Sequence, residues 1–188
     1  AVNSGVVPIE RINDAVKRVL RQKFRLGLFK NPFPDPSLIS KIGSKEHRNI
    51  ARQAVRESMV LLKNDQTLPL KKETPTIVVV GEHANNSGLQ SGGWTLRWQG
   101  VQESYKGATT ILQGIQRATT GTVIYDEKAT EKHANADVAI VVVGETPYAE
   151  FFGDIGDGAG TYQLTLSQKH QEYIDTYKKL GVKVVTVL

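Results

Sequence analysis

Two stretches of this 188-residue sequence carry residue types that can do chemistry. One reads Gly144-Glu145-Thr146-Pro147-Tyr148-Ala149-Glu150-Phe151-Phe152-Gly153-Asp154. A carboxyl group at Glu150, set between Tyr148, Phe151 and Phe152, can lose hydration. That raises its pKa and lets it hold a proton near neutral pH, as a general acid must. The plainer reading is an exposed loop glutamate. The other stretch reads Ser91-Gly92-Gly93-Trp94-Thr95-Leu96-Arg97-Trp98-Gln99-Gly100. Its two indoles are flat apolar plates suited to stacking on the C–H face of a sugar ring. The plainer reading has Trp94 and Trp98 packed beneath the loop as its own small core. Tyr148 is a third candidate for contact with a substrate.

Other chemistries find less support. The glycine-rich loop has neither the G-x-G-x-x-G spacing of a dinucleotide site nor the Gly-Lys-Ser/Thr ending of a phosphate loop. No G-x-S-x-G elbow occurs, and without cysteine there is neither a thiol nucleophile nor a disulfide framework. His47, His83, His133 and His170 lie in separate elements without metal-ligand spacing, which predicts surface or interdomain histidines and no metal. Asp154 and Asp157 lack the alternating oxygens of a calcium loop and read as turn formers. Glu82 and Glu145, each in a Gly-Glu pair at a strand end, read as structural. No cofactor is expected. The net charge of +5 is spread among acidic neighbours, giving a mixed solvated surface and no nucleic-acid partner. No apolar run approaches the ~20 residues of a membrane span, so no membrane partner is expected.

These loops need elements to hold them. Strand-like runs are expected at Ile77 to Val80, Val123 to Tyr125, Val138 to Val143 and Val182 to Leu188. Helices are expected at Thr109 to Ala118, near Glu127 to Ala134, and at Ser167 to Leu180. The alternation predicts an α/β fold: an open, mainly parallel sheet with helices on both faces, flavodoxin-like. Glu82 to Ala108 and Glu145 to Leu166 then leave the carboxyl ends of strands, where such sheets meet ligands.

Ahead of the sheet, Pro8 opens an amphipathic helix with apolar residues at Ile9, Ile12, Val16, Val19, Leu20 and Phe24, reaching Leu28. Its stripe needs a surface that the proline-rich segment after it cannot give. Pro32, Pro34 and Pro36 make a stiff linker, and a second helix is expected from Lys45 to Lys63. The domain reading is residues 1–29 as the end of an upstream domain, 30–44 as linker and 45–188 as the α/β domain. The apolar helix at one end and the uncapped strand at the other predict a segment from inside a larger protein.

The run Ala51-Arg52-Gln53-Ala54-Val55-Arg56-Glu57-Ser58-Met59-Val60-Leu61-Leu62-Lys63-Asn64, with Leu68-Pro69-Leu70, resembles the opening of the second domain of glycoside hydrolase family 3. Arg11 to Phe29 is similar to the last helix of that family's preceding (β/α)₈ barrel. Gly92-Gly93-Trp94-Thr95, Trp98-Gln99-Gly100, Pro147-Tyr148-Ala149-Glu150 and Gly153-Asp154 resemble its β-glucan exohydrolase and β-glucosidase branch. The resemblance implies a retaining exo-acting enzyme that removes terminal β-glucosyl residues from β-glucosides or β-glucan oligosaccharides. It further implies Glu150 as general acid/base, Trp94 as one wall of a clamp beyond the scissile bond, and a nucleophilic aspartate in the barrel, outside this chain. The isolated segment is then expected to be inactive. A non-catalytic carbohydrate-binding module, and family members acting on xylose or N-acetylglucosamine, remain as alternatives.

Overall fold

Four short runs, β1 (Thr76–Val80), β2 (Thr122–Asp126), β3 (Val138–Val142) and β4 (Lys183–Val187), form one sheet in the order β2-β1-β3-β4. Every pairing is parallel, with Ile77 opposite Val123 and Val138, and Ala139 opposite Val184. The computed structural model describes residues 1–130, 133–148, 150 and 165–188.

β1 and β3 occupy the middle and are almost wholly apolar and β-branched, as strands covered on both faces must be. Val78, Val79 and Val80 have no exposed surface. Alternation sends their side chains to two cores. Val78, Val80, Ala139 and Val141 meet Tyr173, Ile174 and Tyr177 of α5 (Gln168–Lys179). Ile77, Val79, Ile140 and Val142 meet Leu112, with Ile111 and Ile115, of α4 (Ile111–Ala118). Helices therefore cover both faces, as the alternating pattern predicts.

Local signals set where these helices begin. Thr110 and Gln113 form a reciprocal capping box at α4, and the Ser167 hydroxyl accepts from the His170 amide at α5. The sequence pattern did not reveal α3 (Ser87–Ser91), a short helix inside the first long loop, nor the 3₁₀ turn at Glu82–Asn85 before it. Asn86 caps α3 by accepting from the Gly88 and Leu89 amides.

The helix expected near Glu127 to Ala134 is not formed over residues 127–130, and residues 131 and 132 lie outside the described ones. Asp126 accounts for this. Its carboxylate accepts from the Lys128 amide (3.2 Å), the Thr130 hydroxyl (3.1 Å) and the Tyr177 hydroxyl (2.8 Å). A turn organised by an aspartate side chain competes with helix for the same backbone groups.

Contacts divide the chain after Leu62 into units 1–62 and 63–188, whereas the sequence pattern began the α/β domain at Lys45. Within the first unit lie α1 (Ile9–Arg25), a 3₁₀ turn (Pro36–Lys41) and α2 (Lys45–Ser58). No residue of α1 is buried, and the stripe from Ile9 to Phe24 stands exposed. α2 stops at Ser58, short of the expected Lys63. The backbone turns extended at Met59 (φ −70°, ψ 133°), and the run Met59-Val60-Leu61-Leu62, apolar at every position, carries no periodicity that distinguishes helix from strand.

Tyr177 is fully buried, and its hydroxyl donates to an aspartate that holds the β2 turn. Tyr177→Phe should lower stability by about 1–3 kcal/mol by leaving a buried carboxylate oxygen short of a donor. Urea unfolding at pH 7 measures it.

Candidate functional site

The strand order reverses direction between β1 and β3, and in sheets of this kind ligands are met beyond the carboxyl ends of the strands at such a point. Both loops singled out from sequence leave from this point. A cavity of about 350 Å³ lined by Gln66, Lys71, Asp137 and Lys183 lies at the opposite, amino-terminal edge of the strands. It holds none of the candidate residues.

Beyond α3 the first loop folds back on itself. The Trp94 amide donates to the Trp98 carbonyl (2.9 Å) and the Gly100 amide to the Arg97 carbonyl (3.0 Å). The Thr95 and Tyr105 hydroxyls are 2.6 Å apart. This short circuit lifts the indoles out of the body. Trp94 is 69% and Trp98 47% exposed, with ring centroids 6.2 Å apart and planes inclined at 56°. They do not form a core beneath the loop.

The second loop leaves β3 through Val143, whose amide still pairs with the Val187 carbonyl (2.9 Å). Tyr148 is half-buried and Glu150 is exposed. Phe151, Phe152, Asp154 and Asp157 lie outside the described residues. Among the described residues four non-glycines have a left-handed φ: Gln66 (71°), Trp94 (57°), Ala129 (54°) and Glu150 (50°). Two of these are the carboxyl group and the indole chosen from sequence. Such strain costs energy that the surroundings must offset, and it gathers at functional positions.

The loops touch. Gly100 has a φ of 82°, and a Cβ there would overlap Pro147 and lie 2.9 Å from the Gly92 carbonyl oxygen. Only glycine fits this approach, which joins the Trp loop to the segment leading to Glu150.

At the root of both loops the structure corrects the reading of two histidines. His83 and His170 are buried, with rings edge-on at 5.4 Å, although sequence placed them at the surface or between domains. They lie 87 positions apart, so no spacing rule could have paired them. The expected structural role of Glu82 becomes specific. Its Oε1 accepts from Lys169 Nζ (2.8 Å) and lies 3.3 Å from His170 Nε2, while the Tyr173 hydroxyl donates to Oε2 (3.4 Å).

Glu82, His83 and His170 also bring ligand-type atoms within 4.8 Å of one another. Lys169 already places a positive charge against the carboxylate, so the protein itself supplies what a cation would. Partial burial pushes the Glu82 carboxyl up, but the hydrogen bonds from Lys169, its own amide and His170, with the Lys169 charge, outweigh this. They hold it at about 2 against an ordinary 4.5.

This sheet and its carboxyl-end loops define a doubly wound α/β domain whose two long loops carry an exposed carboxyl group and two exposed indoles. The chain belongs to glycosyl hydrolase family 3: the family's C-terminal domain matches residues 59–188. The whole chain is 33% identical to 25% of the length of the lysosomal beta glucosidase of Dictyostelium discoideum. It is 30% identical to 28% of the length of the periplasmic beta-glucosidase of Salmonella typhimurium. In structure, 98% of the chain superposes on 31% of an exo-1,3/1,4-beta-glucanase from a Pseudoalteromonas species, with a TM-score of 0.80 and 39% identity. The chain thus spans about a third or less of the proteins it is similar to.

A folded-state pKa below the unfolded one adds stability above the unfolded value, and this is lost as pH falls toward the folded value. For Glu82 that window runs from 4.5 down to about 2. Glu82→Gln should therefore destabilise the protein at pH 7, with the gap from wild type closing between these two pH values. Urea midpoints measured at pH 7, 4.5 and 3 follow the gap.

Proposed function

We propose that this chain is the part of a retaining exo-acting β-glucosidase or β-glucan glucohydrolase that supplies the general acid/base, Glu150. The observation that carries the reading is an exposed carboxyl group in a left-handed backbone conformation, on a loop joined through Gly100 and Pro147 to an exposed pair of indoles. Family membership gives that arrangement its chemistry. The names of the similar proteins favour a β-glucosidic substrate.

In a retaining reaction one carboxylate attacks the anomeric carbon while a protonated carboxyl assists the leaving group, the two standing ~5–5.5 Å apart. Glu150 first gives its proton to the departing oxygen. It then takes one from the water that attacks the glycosyl intermediate. No aspartate of this chain is assigned the attacking role, which belongs to a (β/α)₈ barrel preceding the α/β domain. Residues 1–29 are its last helix and residues 30–44 the link. The exposed stripe of α1 fits that assignment, since an amphipathic helix needs a body to cover.

An exposed acid has its water removed only when substrate and a second surface close over it. This division gives Trp94, Trp98 and Tyr148 the task of gripping the sugar beyond the scissile bond. A carbohydrate-binding module would use the same indoles without needing Glu150, and the two readings part there.

In the full-length protein, Glu150→Gln should slow glucosides with poor leaving groups by about 10²–10⁴-fold, the range of a lost general acid. Activated aryl glucosides should lose far less in the glycosylation step. Equal loss on both series in a Brønsted comparison would remove Glu150 from the acid role, and unchanged turnover would favour the binding module. Trp94→Ala should raise KM for oligosaccharides more than for aryl monoglucosides, measured on the same protein.

A further inference from the structure

We infer that His83 is a positioning residue for Glu150, fixing the segment that carries it through one hydrogen bond to the Glu145 carbonyl. The inference rests on the acid role proposed for Glu150. It concerns the path from the sheet to that residue.

The last ladder hydrogen bond before Glu150 is from the Val143 amide to the Val187 carbonyl. Seven residues on, the carboxyl must be placed to a fraction of an ångström. Two contacts from the first loop meet the described part of this segment. His83 Nε2 stands 3.3 Å from the Glu145 carbonyl oxygen, and Pro147 rests against Gly100. Both fastenings belong to the first loop, so the indoles and the carboxyl share one frame.

The imidazole has little freedom to do anything else. Its ring is buried, and its Nδ1 has no hydrogen-bond partner among the described residues. A buried nitrogen without a partner costs stability that a hydrocarbon side chain of the same size would not. The imidazole is accounted for by its other nitrogen, which donates to Glu145. Gly144 closes the remaining side, because a Cβ there would lie 2.8 Å from His83 Cδ2 and 3.1 Å from Nε2. The His83 carbonyl accepts from Gln90 of α3, the helix that leads into Gly92-Gly93-Trp94. His83 thus holds both loops at their roots.

His83→Leu fills the space without a donor, while His83→Gln keeps an N–H near the position of Nε2. In the full-length protein, H83L should lower kcat/KM, which reports the glycosylation step, for a poor-leaving-group glucoside by about 10²-fold, the sensitivity of a positioned group displaced by ~1 Å. In kcat/KM activated aryl glucosides should change little, with H83Q recovering most of the loss. Gly144→Ala leaves the ring but displaces it, and carries the same comparison if H83L does not fold. A fall in melting temperature with equal loss on both substrate series would mark His83 as merely structural and overturn the inference. Glu150→Gln, run alongside, separates the two questions. If that variant shows leaving-group dependence and the His83 and Gly144 variants do not, the positioning role fails alone. If it shows none, the acid role fails and the inference with it.

Discussion

Glu82 stands where β1 ends, and the ion pair it makes with Lys169 ties that point to the helix that follows the second loop. With His170 and Tyr173 on the same carboxylate, the amino end of α5 is drawn to the carboxyl end of β1. The neighbouring His83 meets the start of that loop at Glu145. A long connection leaving a sheet is only as well placed as its ends, and here both are tied to consecutive residues of another strand's exit. Partial burial strengthens such a tie, because fewer water molecules compete for the charges.

The sheet provides the stiffness behind this. Parallel strands covered on both faces leave the central pair no solvent-facing side, and burying one valine is worth roughly 1.5–3 kcal/mol. β1 and β3 place nine apolar residues at consecutive buried positions, so the exits at Gly81 and Gly144 leave from two adjacent, closely packed strands. Backbone strain at Trp94 and Glu150 can be sustained on such a base. On a looser scaffold the same residues would relax into ordinary φ values.

Much of the fold was legible because its signals are local. Uniformly apolar, β-branched runs announced the strands, and helical spacing announced α1, α4 and α5. The parallel order likewise places the two long loops at the carboxyl ends of the strands. What stayed hidden depended on partners distant in sequence. The pairing of His83 with His170, and of Glu82 with Lys169, spans the whole domain and leaves no trace in spacing. The aspartate turn at Asp126 was missed because Tyr177, which completes it, lies 51 positions away. Trp94, Trp98 and Glu150 are candidates from type and context alone, whereas their exposure, and the left-handed backbone of Trp94 and Glu150, arise only in the folded loops.

The strand order β2-β1-β3-β4 also bears on how the domain emerges during synthesis. β1 comes first, β2 joins one flank, β3 the other, and β4 extends beyond β3. Among the described strands each arrival finds a free edge, so none of them has to wedge between two neighbours already zipped together. Parallel sheets are slow to assemble because every pairing waits on a crossover. A growth order outward from the centre lets a ribosome-bound chain lay down its core progressively, keeping the most apolar strands covered soonest.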